Sequence, residues 1–145
     1  MLKKALLTLT CIAMATSALA KEVTIPTARG DVTLSAPPAK IAVFDTGSLD
    51  TLQALGVKVD GAADVEKLLP YLKPTLDSAK NVGTIFEPNL EALNELKPEL
   101  IIVGTRTAKK FDDVSTIAKT IDLTDNGNKL VESGIQRIDS FGRLF

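Results

Sequence analysis

The sequence predicts an α/β domain built on a mainly parallel sheet, and three observations carry that reading. Ile41-Ala42-Val43-Phe44 and Leu100-Ile101-Ile102-Val103 are short runs that are apolar on both faces, as strands covered by helices on either side require. They alternate with leucine-striped stretches of helical spacing, Leu49/Leu52/Leu55 and Leu90/Leu93/Leu96. The joints between them are short and marked by glycine or proline, so each strand–helix unit connects directly to the next.

The first twenty residues stand apart from the domain. Lys3 and Lys4 precede the largely apolar Ala5–Met14, and Ala18-Leu19-Ala20 places small residues at −3 and −1 of a cleavage site. Residues 1–20 are therefore expected to be a cleavable signal peptide, with Lys21 as the mature N-terminus. The apolar stretch is too short to span the roughly 30 Å of a bilayer core, and Cys11 sits too early for a lipoprotein site. Without Lys3 and Lys4 the chain has 15 basic against 18 acidic residues. A net charge of −3 gives no support for nucleic-acid binding.

Within the mature chain, Val23/Ile25 and Val32/Leu34 alternate at period two around Ala28-Arg29-Gly30-Asp31, which reads as a hairpin or an extended pair. Pro37-Pro38 stiffens the link to the first parallel strand, Lys40–Phe44. A helix is expected over Ser48–Leu55, with Gly56 as its left-handed stop. A short strand follows at Val57–Asp60, then a helical stretch at Val65–Leu76 interrupted by Pro70 and Pro74. Asn81–Gly83 suits another short strand, Glu87-Pro88-Asn89 opens the helix through Leu96, and Lys97-Pro98 closes it.

Leu100–Gly104 is the strongest strand signal in the chain. Lys109–Ala118 reads as a helix with Phe111, Val114 and Ile117 inward, and Thr120–Thr124 as a further strand. Asn128–Phe145 is expected to be one helix, with Val131, Ile135, Ile138 and Phe145 near its core-facing side and Leu130, Phe141 and Leu144 widening it. That pattern is still running at Phe145, with no cap or polar tail after it. The sequence therefore reads as the front part of a larger protein.

There is no His, and Cys11 is the only Cys, so imidazole or thiolate metal sites and Ser/His or Cys/His triads cannot be drawn from this chain. Neither GxGxxG nor GxxxxGK[ST] occurs. No pair of carboxylates has a spacing that singles it out for acid/base work.

In parallel α/β sheets ligands meet the C-terminal ends of strands. Three stretches qualify: Asp45-Thr46-Gly47-Ser48, Gly83-Thr84-Ile85-Phe86-Glu87 and Gly104-Thr105-Arg106-Thr107. Of the four arginines, at 29, 106, 137 and 143, only Arg106 directly follows a buried-type strand, where a guanidinium suits an anionic ligand. On the residues alone, ligand contact and an exposed loop arginine beside Asp112 are both open. Asp45 and Ser48 read as helix-start and turn residues ahead of ligand groups, Phe86 equally as core or cleft wall, and Asp112-Asp113 as a solvated pair on a first helical turn.

Three longer phrases add a resemblance: KIAVFDTGSLDTLQALGV, NVGTIFEPNLEALNELKPELIIVGTRT and KKFDDVSTIAKTIDLT. Together they are similar to the N-terminal lobe of the periplasmic iron-siderophore binding proteins of ABC transporters, nearest the ferric-catecholate and petrobactin/anguibactin type. The resemblance covers essentially all of the mature chain and is more specific to the broad family than to the ligand. It implies a Rossmann-like three-layer lobe, one of two joined by a long helix: residues 21–127 as that lobe, residues 128–145 as the start of the helix, and the C-terminal lobe missing.

It further implies a non-enzymatic, monomeric carrier of a ferric siderophore that works with an inner-membrane permease. Such a carrier has no cofactor of its own, because the siderophore already coordinates the iron. Arg106 occupies the position of a family arginine that holds the anionic chelate. Thr105, Phe86, Ser48 and Asp45 are the accompanying ligand candidates, and Asp112 or Asp113 lies near the expected permease-docking acid. Phe86 stands where some relatives place a basic residue. Heme or cobalamin carriage by the same architecture is the alternative ligand reading. A secreted enzyme relying on Asp45 or Ser48 is the alternative class.

Overall fold

The computed structural model describes residues 21–145; the expected signal peptide, with Cys11, lies outside the described residues. The chain opens with an antiparallel hairpin, β1 (Lys21–Thr27) and β2 (Gly30–Ala36), in which Val23 faces Leu34 and Ile25 faces Val32. Period-two alternation places Val23, Ile25 and Leu34 in the core. Gly30 closes the turn at φ +98°, a conformation that only glycine adopts without cost.

The main sheet contains β3 (Ile41–Val43), β4 (Gly61–Ala62), β5 (Lys80–Asn81), β6 (Leu100–Val103) and β7 (Lys119–Asp122), all parallel, in the order β5-β4-β3-β6-β7. Every residue of β3 and β6 is buried, as the doubly apolar runs predict. The helices are α1 (Thr46–Ala54), α2 (Lys73–Ser78), α3 (Leu90–Leu96), α4 (Phe111–Ser115) and α5 (Leu130–Leu144). Asp45 and Asn89 cap α1 and α3 by accepting backbone N–H groups. Gly56 adopts the expected positive φ after α1, and Lys97 takes a left-handed conformation at the end of α3, directly before Pro98.

Four expectations need correction. The second parallel strand lies at Gly61–Ala62 rather than Val57–Asp60, where small residues let the backbone pack closely under its neighbours: a Cβ on Gly61 would come within 2.5 Å of Leu96 and 3.0 Å of Val82. Residues 65–76 form no continuous helix. Pro70 and Pro74 break them into a 3-10 turn (Pro70–Leu72) and α2. Lys109–Ala118 likewise divides into a 3-10 turn (Ala108–Lys110) and the short α4.

The fourth concerns α5, whose inward face is not the predicted one. Val131, Ile135 and Ile138 are exposed, whereas Arg137, Ser140, Phe141 and Leu144 are buried. Hydrophobic spacing alone chose the wrong side because the buried face carries an arginine and a serine. The hairpin is fastened near β7 by Arg29, which pairs with Asp122 at 3.0 Å and lies over the Phe111 ring.

Candidate functional site

Renumbered from β3, the sheet runs 3-2-1-4-5, so the strand order reverses between β3 and β6. At such a reversal the two following segments leave in opposite directions and open a crevice beyond the carboxyl ends of the strands. A depression of about 150 Å³ lies there, formed by residues 44–47 after β3, Thr105 and Arg106 after β6, Ile85, and Asp125 after β7.

Its walls are set by specific contacts. Gly104 lies so close to Asp45 that a Cβ would collide with the carboxylate. The Asp45 carboxylate accepts the Ser48 N–H and hydroxyl, both at 2.7 Å, which orients it at the start of α1. Thr107 is completely buried, with its hydroxyl 2.5 Å from the Ile85 carbonyl oxygen and 3.2 Å from that of Phe44. One side chain after β6 thus ties together Phe44, just before the first of the other two expected loops, and Ile85, inside the second.

The predicted residues separate into groups. Arg106 and Thr105 are exposed and line the depression with Asp45. Ser48 does not reach it: the residue is fully buried and its hydroxyl donates to Asp45, so it supports the wall from behind. Phe86 is 62% exposed on the neighbouring loop and lies outside the depression's lining. That loop is held to the Arg106 segment by an ion pair of Glu87 with Lys110 at 2.9 Å. The hydrogen bond and the charge of Glu87 hold the Lys110 ammonium's pKa above its ordinary value.

Arg106 differs from the other arginines in its company. Arg29 pairs with Asp122, Arg137 with Asp125 and Arg143 with Asp139. Among the described residues Arg106 has no such partner, and it is exposed where it lines the depression.

Asp125 and Arg137 were not singled out from sequence. Asp125 follows the last strand, so the rule that found the other loops applies to it as well. Arg137 had no signal beyond being a basic residue within a mostly apolar helical pattern. Among the described residues no group of three or more His, Cys, Asp or Glu is placed to hold a metal ion.

A family model described as "Periplasmic binding protein" matches residues 41–145. The chain belongs to that family. Among curated relatives of this periplasmic binding protein, the petrobactin-binding protein YclQ of Bacillus subtilis is 37% identical over 110 residues, 74% of this chain and 35% of its own length. The ferric-anguibactin-binding protein FatB of Vibrio anguillarum is 28% identical over 122 residues, covering 80% of this chain and 38% of FatB. The crystal structure of YclQ superposes with a TM-score of 0.79 at 32% identity, covering 86% of this chain and 45% of that one. The catecholate-siderophore binding protein VctP of Vibrio cholerae gives 0.77 at 31% identity, covering 86% and 46%. The chain thus spans about a third of the curated relatives' length and just under half of the solved chains.

Proposed function

We propose that this chain provides one ligand-binding lobe of a non-catalytic, periplasmic substrate-binding protein of an ABC importer, and that its cargo is an anionic ferric siderophore of the catecholate type. The observation that carries this reading is the unpartnered guanidinium of Arg106 in the depression where the strand order reverses, in a chain of the periplasmic binding protein family. The printed names of the relatives, petrobactin, anguibactin and catecholate siderophore, support the ligand class.

The mechanism is recognition without bond making. A ferric tris-catecholate is a polyanion whose iron is already six-coordinate, so the lobe meets ligand oxygens rather than metal. Arg106 donates charge-assisted hydrogen bonds to those oxygens, the Thr105 hydroxyl adds a neutral one, and the exposed Phe86 ring lies where a flat aryl group can pack. Residues 21–127 form the lobe, residues 128–145 begin the helix that joins it to a second lobe, and residues 1–20 direct export and are removed. A permease of the inner membrane receives the cargo. One lobe supplies half of such a clamp, so its affinity alone is weak.

Calorimetry and NMR with the gallium form of a hexadentate tris(catecholamide), a diamagnetic trianion, test the reading. The expected result is binding weaker than about 1 μM, with amide shifts at Gly47, Thr105 and Arg106 that vanish in Arg106→Glu. No shift at these amides, or equal binding by Arg106→Glu, overturns it. Preferential binding of heme or cobalamin in competition transfers the site to that ligand.

A further inference from the structure

The depression presents two carboxylates, Asp45 and Asp125, beside the one outward-facing guanidinium of Arg106. Taken alone those three groups sum to a negative charge, which disfavours any anion. The balance is restored from behind, by α5. Arg137 is 9% exposed, and its Nη2 lies 2.6 Å from Asp125 Oδ1 while its Nε lies 3.8 Å from Asp45 Oδ2. Nη2 also approaches the Leu123 carbonyl oxygen at 3.4 Å.

The guanidinium also lies directly against the backbone at Gly47. A Cβ on Gly47 would lie 2.5 Å from Arg137 Nη1, so a side chain at position 47 would require this guanidinium to shift from its present place. A buried charge is tolerated only with such partners, and both partners here are groups that line the depression. The Nε of Arg137 has no hydrogen-bond acceptor, which leaves its charge less neutralised than that of a bidentate pair.

We propose that Arg137 is a positioning residue that sets the charge of the strand-exit depression: from α5 it offsets Asp45 and Asp125, and so lets an anion approach Arg106. The helix whose sequence pattern suggests a simple apolar face thereby supplies the cation that the pattern overlooks. The inference rests on the proposed anion-binding function only for its purpose. The charge effect itself is a property of the protein without ligand.

The test measures local potential by NMR, using nitroxides of equal size that carry a carboxylate or an ammonium. The ratio of their relaxation effects at the Gly47, Thr105 and Arg106 amides reports how readily an anion approaches. In Arg137→Gln the anion-to-cation ratio is expected to fall at least about twofold, and in Arg137→Lys to stay near wild type; loss of packing alone does not give this charge-selective rescue. An unchanged ratio in folded Arg137→Gln overturns the proposal.

If Arg137→Gln does not fold, the comparison passes to two double variants, Arg137→Lys with Asp125→Asn and Arg137→Gln with Asp125→Asn. They differ only at position 137, where one carries a cation and the other a neutral amide, and equal ratios overturn the proposal in the same way. The gallium chelate separates this inference from the function. A charge effect without chelate binding removes the carrier reading alone, and chelate binding with unchanged ratios removes the role of Arg137 alone.

Discussion

The hydroxyl of Thr107 lies 2.5 Å from the carbonyl oxygen of Ile85, across 22 residues of sequence, in a fully buried position. It joins the segment after β6 to the loop after β5 and holds the depression's walls at a fixed separation. Replacing Thr107 with Val keeps the shape but removes the donor, leaving carbonyl oxygens buried without it. The expected loss is about 1–3 kcal/mol in urea denaturation, with Thr107→Ser recovering most of it.

Gly104 is the second fixed point. Its α-carbon faces the Asp45 carboxylate with no room for a methyl group. Gly104→Ala is expected to cost about 1–3 kcal/mol and to shift the Ser48 amide resonance, because Asp45 must move from its capping position. An unchanged Ser48 amide with full stability contradicts this.

Arg106 has the opposite character, exposed and without a partner, so its substitution leaves folding alone. Arg106→Ala is expected to change stability by no more than about 0.5 kcal/mol. In the same variant, chelate affinity falls roughly tenfold to a hundredfold, the worth of one charge-assisted contact. Parallel thermal melts and calorimetric titrations give both values.

The two faces of α5 predict contrasting costs. Ile135 is 63% exposed and Phe141 fully buried. Ile135→Ser is expected to shift stability by about 0.5 kcal/mol or less, and Phe141→Ala to cost about 3–5 kcal/mol, both by denaturant titration. The reverse order contradicts the orientation of the helix.

Lys110 gives a pH prediction. Its hydrogen bond to Glu87 and the attraction between the two charges raise the ammonium's pKa above the ordinary 10.5. A raised pKa means that the pair's contribution is fully present below the unfolded value, and is lost as pH rises through the folded one. An NMR titration of the lysine side chains is expected to show Lys110 deprotonating last among exposed lysines without such a partner, and Glu87→Gln removes the difference.

Much of this architecture was legible in sequence because it depends on burial on both faces. Ile41–Val43 and Leu100–Val103 have no polar residue to present, so they can only be interior strands. The three loops were found by the same logic, since strand ends are where such sheets bind. What escaped were elements whose signal is an absence or a polar atom. Gly61 has no side chain to signal a strand, yet its bare α-carbon lies close against Leu96 and Val82 within β4. Arg137 has no signal of a partner in the helical pattern, yet Asp45 and Asp125 receive it inside the fold. Asp125 lies on the loop before the helix and Asp45 on another loop altogether, so helical periodicity does not announce the pairing.

The sheet's borders have a consequence for how copies of this chain behave toward one another. On one side it ends in β5, only Lys80 and Asn81 long and exposed. On the other, the hairpin's Ala28 N–H reaches the Asp122 carbonyl at 2.8 Å, at the last residue of β7. A short, lysine-bearing rim on one side and a rim met at its end by the hairpin on the other are poor templates for a neighbour's strand. At these two rims of the parallel sheet, a strand from a second copy finds little backbone to pair with.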